Sequence, residues 1–128
     1  MREERITGTF SGRLDRRHAA RTAVEIEAYA YDDDAEQKLG RIIDLSPVGL
    51  KIRGLMPLPR RRVFALRLVC FRNGVVVPPI TVKAICHWAR ECRDAPVEQY
   101  ESGLSFESVS ARVRARIRAL IDLASKPG

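Results

Sequence analysis

Apolar and polar residues alternate with a period of two along most of this chain, the spacing of strands that lay one face on a core. From Thr22 onward Val24, Ile26 and Ala28 share one face and Glu25, Glu27 and Tyr29 the other, which predicts a first strand. An acidic turn over residues 32–36 leads through Gly40 to a short strand over residues 41–45. The Ser46-Pro47-Val48-Gly49 turn separates it from a third strand over residues 50–53. A Pro- and Arg-rich connection follows, and then residues 63–71 run into Asn73-Gly74, a two-residue hairpin signal because both positions tolerate positive φ. Val75 to Val77 pair back, residues 80–88 alternate again beyond Pro78-Pro79, and residues 99–106 supply the last strand, for six or seven in all. The ending differs in kind. Val109, Val113, Ile117, Leu120, Ile121 and Ala124 fall at helical spacing, with Ser110 placed as N-cap and Pro127-Gly128 ending the pattern. Short strands followed by one amphipathic helix over residues 109–124 predict an all-β-dominated fold, a closed or nearly closed antiparallel barrel that buries its edges.

Length and composition narrow the class. The chain has 128 residues, 45% hydrophobic and 30% charged, which suits one globular domain and neither a disordered nor a fibrous chain. Its longest apolar stretches are broken by Arg67, by Pro78-Pro79 and by Lys83, short of the ~20 residues of a membrane span. The first residues have no apolar run of the secretory kind, and Cys70, Cys86 and Cys92 are an odd set, so a reducing, cytoplasmic setting is expected.

Charge adds a partner class. The net charge is +7, from 19 Arg and 4 Lys against 16 acids, and an anionic partner is expected. A GC-rich genome would also raise Arg at the expense of Lys, so the total decides less than the placement. Residues 1–21 carry +3, residues 22–38 carry −5 and residues 39–72 carry +7. Catalysis is not indicated. Cys86-His87 with Cys92 is the one local group with metal-ligand chemistry, and its adjacent pair points to opposite faces of a strand, so no metal site is expected. His18 and His87 sit in no nucleophile motif, and the chain has no glycine-rich phosphate loop or dinucleotide fingerprint, so no catalytic residue and no cofactor is expected.

Two stretches remain, Arg16-Arg17-His18-Ala19-Ala20-Arg21 before the first strand and Asp44-Leu45-Ser46-Pro47-Val48-Gly49 between the second and third. Together they resemble the PilZ domain. Its Arg-x-x-x-Arg stretch is matched by Arg17 and Arg21, and its Asp/Asn-x-Ser-x-x-Gly stretch by Asp44, Ser46 and Gly49. Residues 100–110 look like the family's last barrel strand, and the likeness runs from Arg13 to Ala124. It implies a six-stranded Greek-key barrel over residues 13–124, preceded by a flexible segment over residues 1–12, that binds the bacterial second messenger cyclic di-GMP. Arginine suits that ligand, since its planar fork spans phosphate oxygens or guanine O6 and N7 and stacks on a purine face. Asp44 offers an ionised acceptor to guanine donors, Ser46 an adjustable hydroxyl, and Gly49 either a turn with positive φ or a close ligand approach. In the family, the residue at Arg16 is linked to binding of one ligand or an intercalated pair, and a basic side chain is compatible with the pair. The segment carrying Arg17 and Arg21 is expected to wrap the ligand and order upon binding.

Blander readings fit the same residues. Arg17 and Arg21 could be a solvated lead-in, and Asp44 and Ser46 could serve only to form a turn. Arg60 to Arg62 and the helix arginines read as solvated faces, and Trp88 as barrel core or rim with base stacking as the lesser option. The resemblance implies a cytoplasmic receptor that changes shape and acts in trans on a downstream protein partner. The alternatives are an interaction module with weak or no nucleotide binding, or a basic barrel for single-stranded nucleic acid. With eight aromatics, several at core phase, no specific nucleic acid is expected.

Overall fold

Six strands and one helix account for most of residues 26–125, which the computed structural model describes. The elements are β1 (Ile26–Asp32), β2 (Gln37–Ser46), β3 (Gly49–Gly54), β4 (Val63–Arg72), β5 (Val75–Glu91), β6 (Tyr100–Glu107) and α1 (Ala111–Ser125). All neighbouring strands pair antiparallel in the closed ring β1-β2-β3-β6-β5-β4, so the sheet has no free edge. β4 returns to lie beside β1 after the β1-β2-β3 meander, which is the Greek-key arrangement. The expected segment 1–12, the start of the first-strand pattern at Thr22, and Arg16, Arg17 and Arg21 lie outside the described residues.

Alternation builds the core as the sequence predicts. Ala28 and Ala30 of β1, Phe64, Leu66, Leu68 and Cys70 of β4, and Ile80, Val82, Ala84 and Cys86 of β5 all point inward. The β4–β5 hairpin turns on Asn73 and Gly74, at φ 52° and 83°, as a two-residue turn with positive φ at both positions requires. The acidic turn begins one residue later than the sequence pattern implies, because Asp32 belongs to β1. Its Oδ1 accepts from the amides of Asp34 (3.1 Å) and Ala35 (3.2 Å).

The Pro78-Pro79 pair does not divide two strands. β5 is continuous over 17 residues, and the register shift between Leu68 and Cys70 places the two prolines where no ladder amide is needed. Their carbonyls are satisfied from outside the sheet, since Arg116 Nη2 of α1 donates to Pro78 O (3.1 Å) and Pro79 O (2.9 Å). The helix buries Ile117 and Leu120 against the barrel, with Val113 and Ile121 partly covered. Its first turn is capped by Ser110, whose hydroxyl accepts from Val113 N at 3.1 Å. No helix among the described residues is long and apolar enough to cross a membrane.

Two further irregularities re-aim side chains. β2 shifts register between Ile42 and Asp44, so the buried positions are Ile42 and Leu45, three apart instead of two or four. β5 shifts between Cys86 and Trp88, so His87 and Trp88 both face outward although Trp88 is in phase with Val82, Ala84 and Cys86. Each bulge turns one polar or amphipathic side chain away from the barrel interior.

Candidate functional site

The outer wall of the barrel carries a groove of about 310 Å³ between the β2–β3 hairpin and the facing stretch of β5 and β6. On the hairpin side it is lined by Asp44, Ser46, Gly49 and Lys51, and on the other by His87, Trp88, Gly103 and Ser105. Asp44 reaches it because of the β2 bulge, which sets it opposite Lys51 on the outer face. The sequence-predicted Asp44, Ser46 and Gly49 are therefore brought together in one concavity. Arg16, Arg17 and Arg21 lie outside the described residues.

Ser46 builds the turn itself. Its Oγ accepts from Val48 N and Gly49 N, both at 3.2 Å, and donates to Gly49 O at 3.3 Å. Gly49 requires a correction. Its φ is not in the left-handed region, where the described glycines are Gly40 and Gly74. What demands glycine is the approach of β6, because a Cβ at position 49 would collide with the carbonyl oxygen of Leu104. The turn is further tied to β6 by Phe106 N, which donates to Val48 O at 2.8 Å.

Residues that sequence reasoning ranked low complete the far wall. The Trp88 indole lies against Gly103, where a Cβ would occupy the ring's place, and the side chain stays 37% exposed at the rim. Rim packing is thus the correct part of the core-or-rim expectation, and the ring also lines the groove. His87 Nε2 and Ser105 Oγ are 2.6 Å apart beside it. A glycine directly across from an outward tryptophan is the signal that would have found this wall, but the pairing is visible only once the register is known.

Beside Trp88 lies a charge cluster built on one buried carboxylate. Glu101, 7% exposed, takes Arg53 on one carboxylate oxygen and Arg90 on the other (3.2 Å), and the Arg90 guanidinium sits 5.2 Å from the Trp88 ring centroid. Burial works against the Glu101 charge, but hydrogen bonds and charges from Arg53 and Arg90 outweigh it and hold the carboxyl below its ordinary value of 4.5. A carboxyl depressed in the folded state stabilises the fold above its unfolded value and loses that contribution as pH falls through the folded one. Acid titration followed by circular dichroism should therefore show stability declining below about pH 4.5 in wild type. Glu101→Gln should remove that part of the slope, and an unaltered slope would refute the assignment.

The remaining chemistry is muted. Burial pushes the Cys70 thiol up to about 12 and raises those of Cys86 and Cys92, so each stays protonated at neutral pH. Cys86 points into the core while His87 points out, and no group of three or more metal-ligating side chains occurs among the described residues.

The architecture is that of a small six-stranded barrel with one helix and a groove on its wall. The sequence matches the PilZ domain over residues 15–123, and the chain belongs to that family, whose members are ligand-binding and effector modules. No curated protein matches the chain. Among solved structures it is similar to the PilZ domain of YcgR from Escherichia coli with c-di-GMP, at 18% identity and TM-score 0.55, covering 84% of this chain and 90% of that one. It is also similar to MrkH of K. pneumonia in its apo state (17% identity, TM-score 0.55, 88% of this chain and 52% of that one). A third is the Bacillus subtilis inhibitor of motility MotI/DgrA (18% identity, TM-score 0.50, 88% and 53%). The chain thus spans about half the length of the last two, and at these identities the likeness establishes the fold alone.

Proposed function

We propose that this PilZ domain is a cytoplasmic receptor that binds cyclic di-GMP in the groove and acts in trans on a protein partner. The observation that carries the reading is the meeting of Asp44, Ser46 and Gly49 with an outward tryptophan in one concavity on the barrel wall. The Trp88 ring offers a purine a stacking surface, and Asp44 an ionised acceptor for the guanine N1–H and N2–H. Ser46 and Gly49 hold the hairpin that presents Asp44, and the Ser46 hydroxyl serves the ligand by exchanging its contact with Gly49 O. Arg17 and Arg21 supply the positive wall, one fork to phosphate and one to guanine O6 and N7, with Arg16 beside them offsetting the phosphates of a paired ligand. No cofactor or metal takes part, and the chemistry is recognition without bond making.

The test is calorimetric titration of cyclic di-GMP into wild type and Arg17→Ala, beside an unrelated oligonucleotide of equal charge at two salt concentrations. Saturable binding to wild type that Arg17→Ala weakens by about 1 to 3 kcal/mol is expected. Binding that the oligonucleotide matches and that collapses with salt would show generic anion attraction in its place. The stoichiometry reads the role of Arg16 in the same experiment, two ligands per chain being expected.

A further inference from the structure

The geometry points to Glu101 as a positioning residue of the groove: through Arg90 it sets the Trp88 ring, and so determines how tightly the groove holds a purine. This inference rests on the reading of the groove as a cyclic di-GMP site.

Trp88 stands opposite Gly103 in the β5–β6 register, and Arg90 opposite Glu101, two residues further along both strands. The Arg90 side chain is 68% exposed, so packing restrains it little and its polar and ring contacts weigh more in setting its rotamer. Both contacts are made by the guanidinium, whose Nη2 donates to Glu101 Oε1 at 3.2 Å and whose Cζ lies 5.2 Å from the Trp88 ring centroid. Glu101 cannot move with it, because the carboxylate is buried and its second oxygen is tied to Arg53 Nη2. The result is a chain of contacts, Arg53 to Glu101 to Arg90 to Trp88, that begins near the end of β3 and finishes in the groove.

Stability alone does not explain the arrangement. A buried carboxylate between two arginines is desolvated at a cost, and apolar side chains of similar volume commonly stabilise a fold as well or better. What a fixed guanidinium beside an indole supplies is a preset ring. Gly103 allows the ring close to β6, and the arginine, attracted to the π-system, restricts where it rests. A ring already held in its bound orientation loses less freedom when a base stacks on it, and that difference appears as affinity.

Trp88 is the single tryptophan of the chain, so its fluorescence reports this position without labelling. The experiment compares wild type, Glu101→Gln, Arg90→Ala, Arg90→Lys and the exposed-helix control Arg118→Ala. It uses acrylamide quenching without ligand and then titration with cyclic di-GMP. Arg90→Ala guards against a folding defect in Glu101→Gln, since the side chain it removes is largely in solvent. Glu101→Gln and Arg90→Ala are expected to make the indole more accessible and to weaken binding about tenfold. Arg90→Lys should fall between them and wild type, because it keeps the charge and loses the planar fork. Arg118→Ala, which removes the same charge elsewhere, should match wild type. Wild-type quenching and affinity in both Glu101→Gln and Arg90→Ala, with wild type binding normally, would overturn the positioning role. A wild type that binds no cyclic di-GMP would overturn the nucleotide reading itself and with it the consequence drawn for affinity.

Discussion

Gly49→Ala is expected to lower the unfolding midpoint of this domain by roughly 10 °C, the consequence of about 3 kcal/mol of overpacking. The added methyl has no room, because it would lie 2.3 Å from the Leu104 carbonyl oxygen, and the next nearest atom is the Ser105 Cα at 3.1 Å. Backbone is in the way, so no rotamer change relieves the clash. β6 cannot retreat either, since it is paired to β3 on one side and β5 on the other within a closed ring. Gly74→Ala is the informative comparison. That position has φ 83° and no atom within 4 Å of an added Cβ, so the same methyl there meets only the left-handed conformational penalty, about 1 kcal/mol. Thermal denaturation followed by circular dichroism distinguishes the two. If Gly49→Ala melts as high as Gly74→Ala, the steric account of the second motif's glycine is wrong.

The second large effect is on binding. Gly103→Ala puts a methyl where the Trp88 indole now lies, and here the obstacle is a side chain that can leave. The ring is already 37% exposed, so swinging it outward costs little stability, about 1 kcal/mol, while the groove loses its stacking wall. On the cyclic di-GMP reading proposed above, loss of one base-stacking contact should weaken binding by roughly ten- to a hundredfold. A red shift of the tryptophan emission before ligand is added should accompany it. A variant that keeps wild-type affinity despite a displaced indole would remove Trp88 from the site.

These two glycines also show why the fold was more legible than the site. Strand positions and inward faces follow from alternation over β1, β4 and most of β5, and the hairpin at Asn73-Gly74 from the φ preferences of two residues. Such signals are local, and burial against a common core reinforces them. The Pro78-Pro79 pair misleads a local reading, because a proline interrupts a ladder only where an amide is required. Whether one is required depends on the register of the partner strand. The same limitation hides Gly103, whose need for a missing side chain comes from a residue 15 positions earlier on the adjacent strand.

Sequence by itself determined the barrel class, the terminal helix with its Ser110 cap, and the turn that carries Ser46 and Gly49. These depend on periodicity, on capping chemistry and on short motifs, which are written in neighbouring residues. Tertiary structure alone decided which way the site side chains point. By strict alternation Asp44 would share the interior with Ile42, and Trp88 with Cys86. One bulge in β2 and another in β5 rotate both to the outer wall, where they face one groove. The reason is physical: a bulge is a property of two paired strands, the extra residue on one measured against the count on the other, and a single strand read alone has no count to compare.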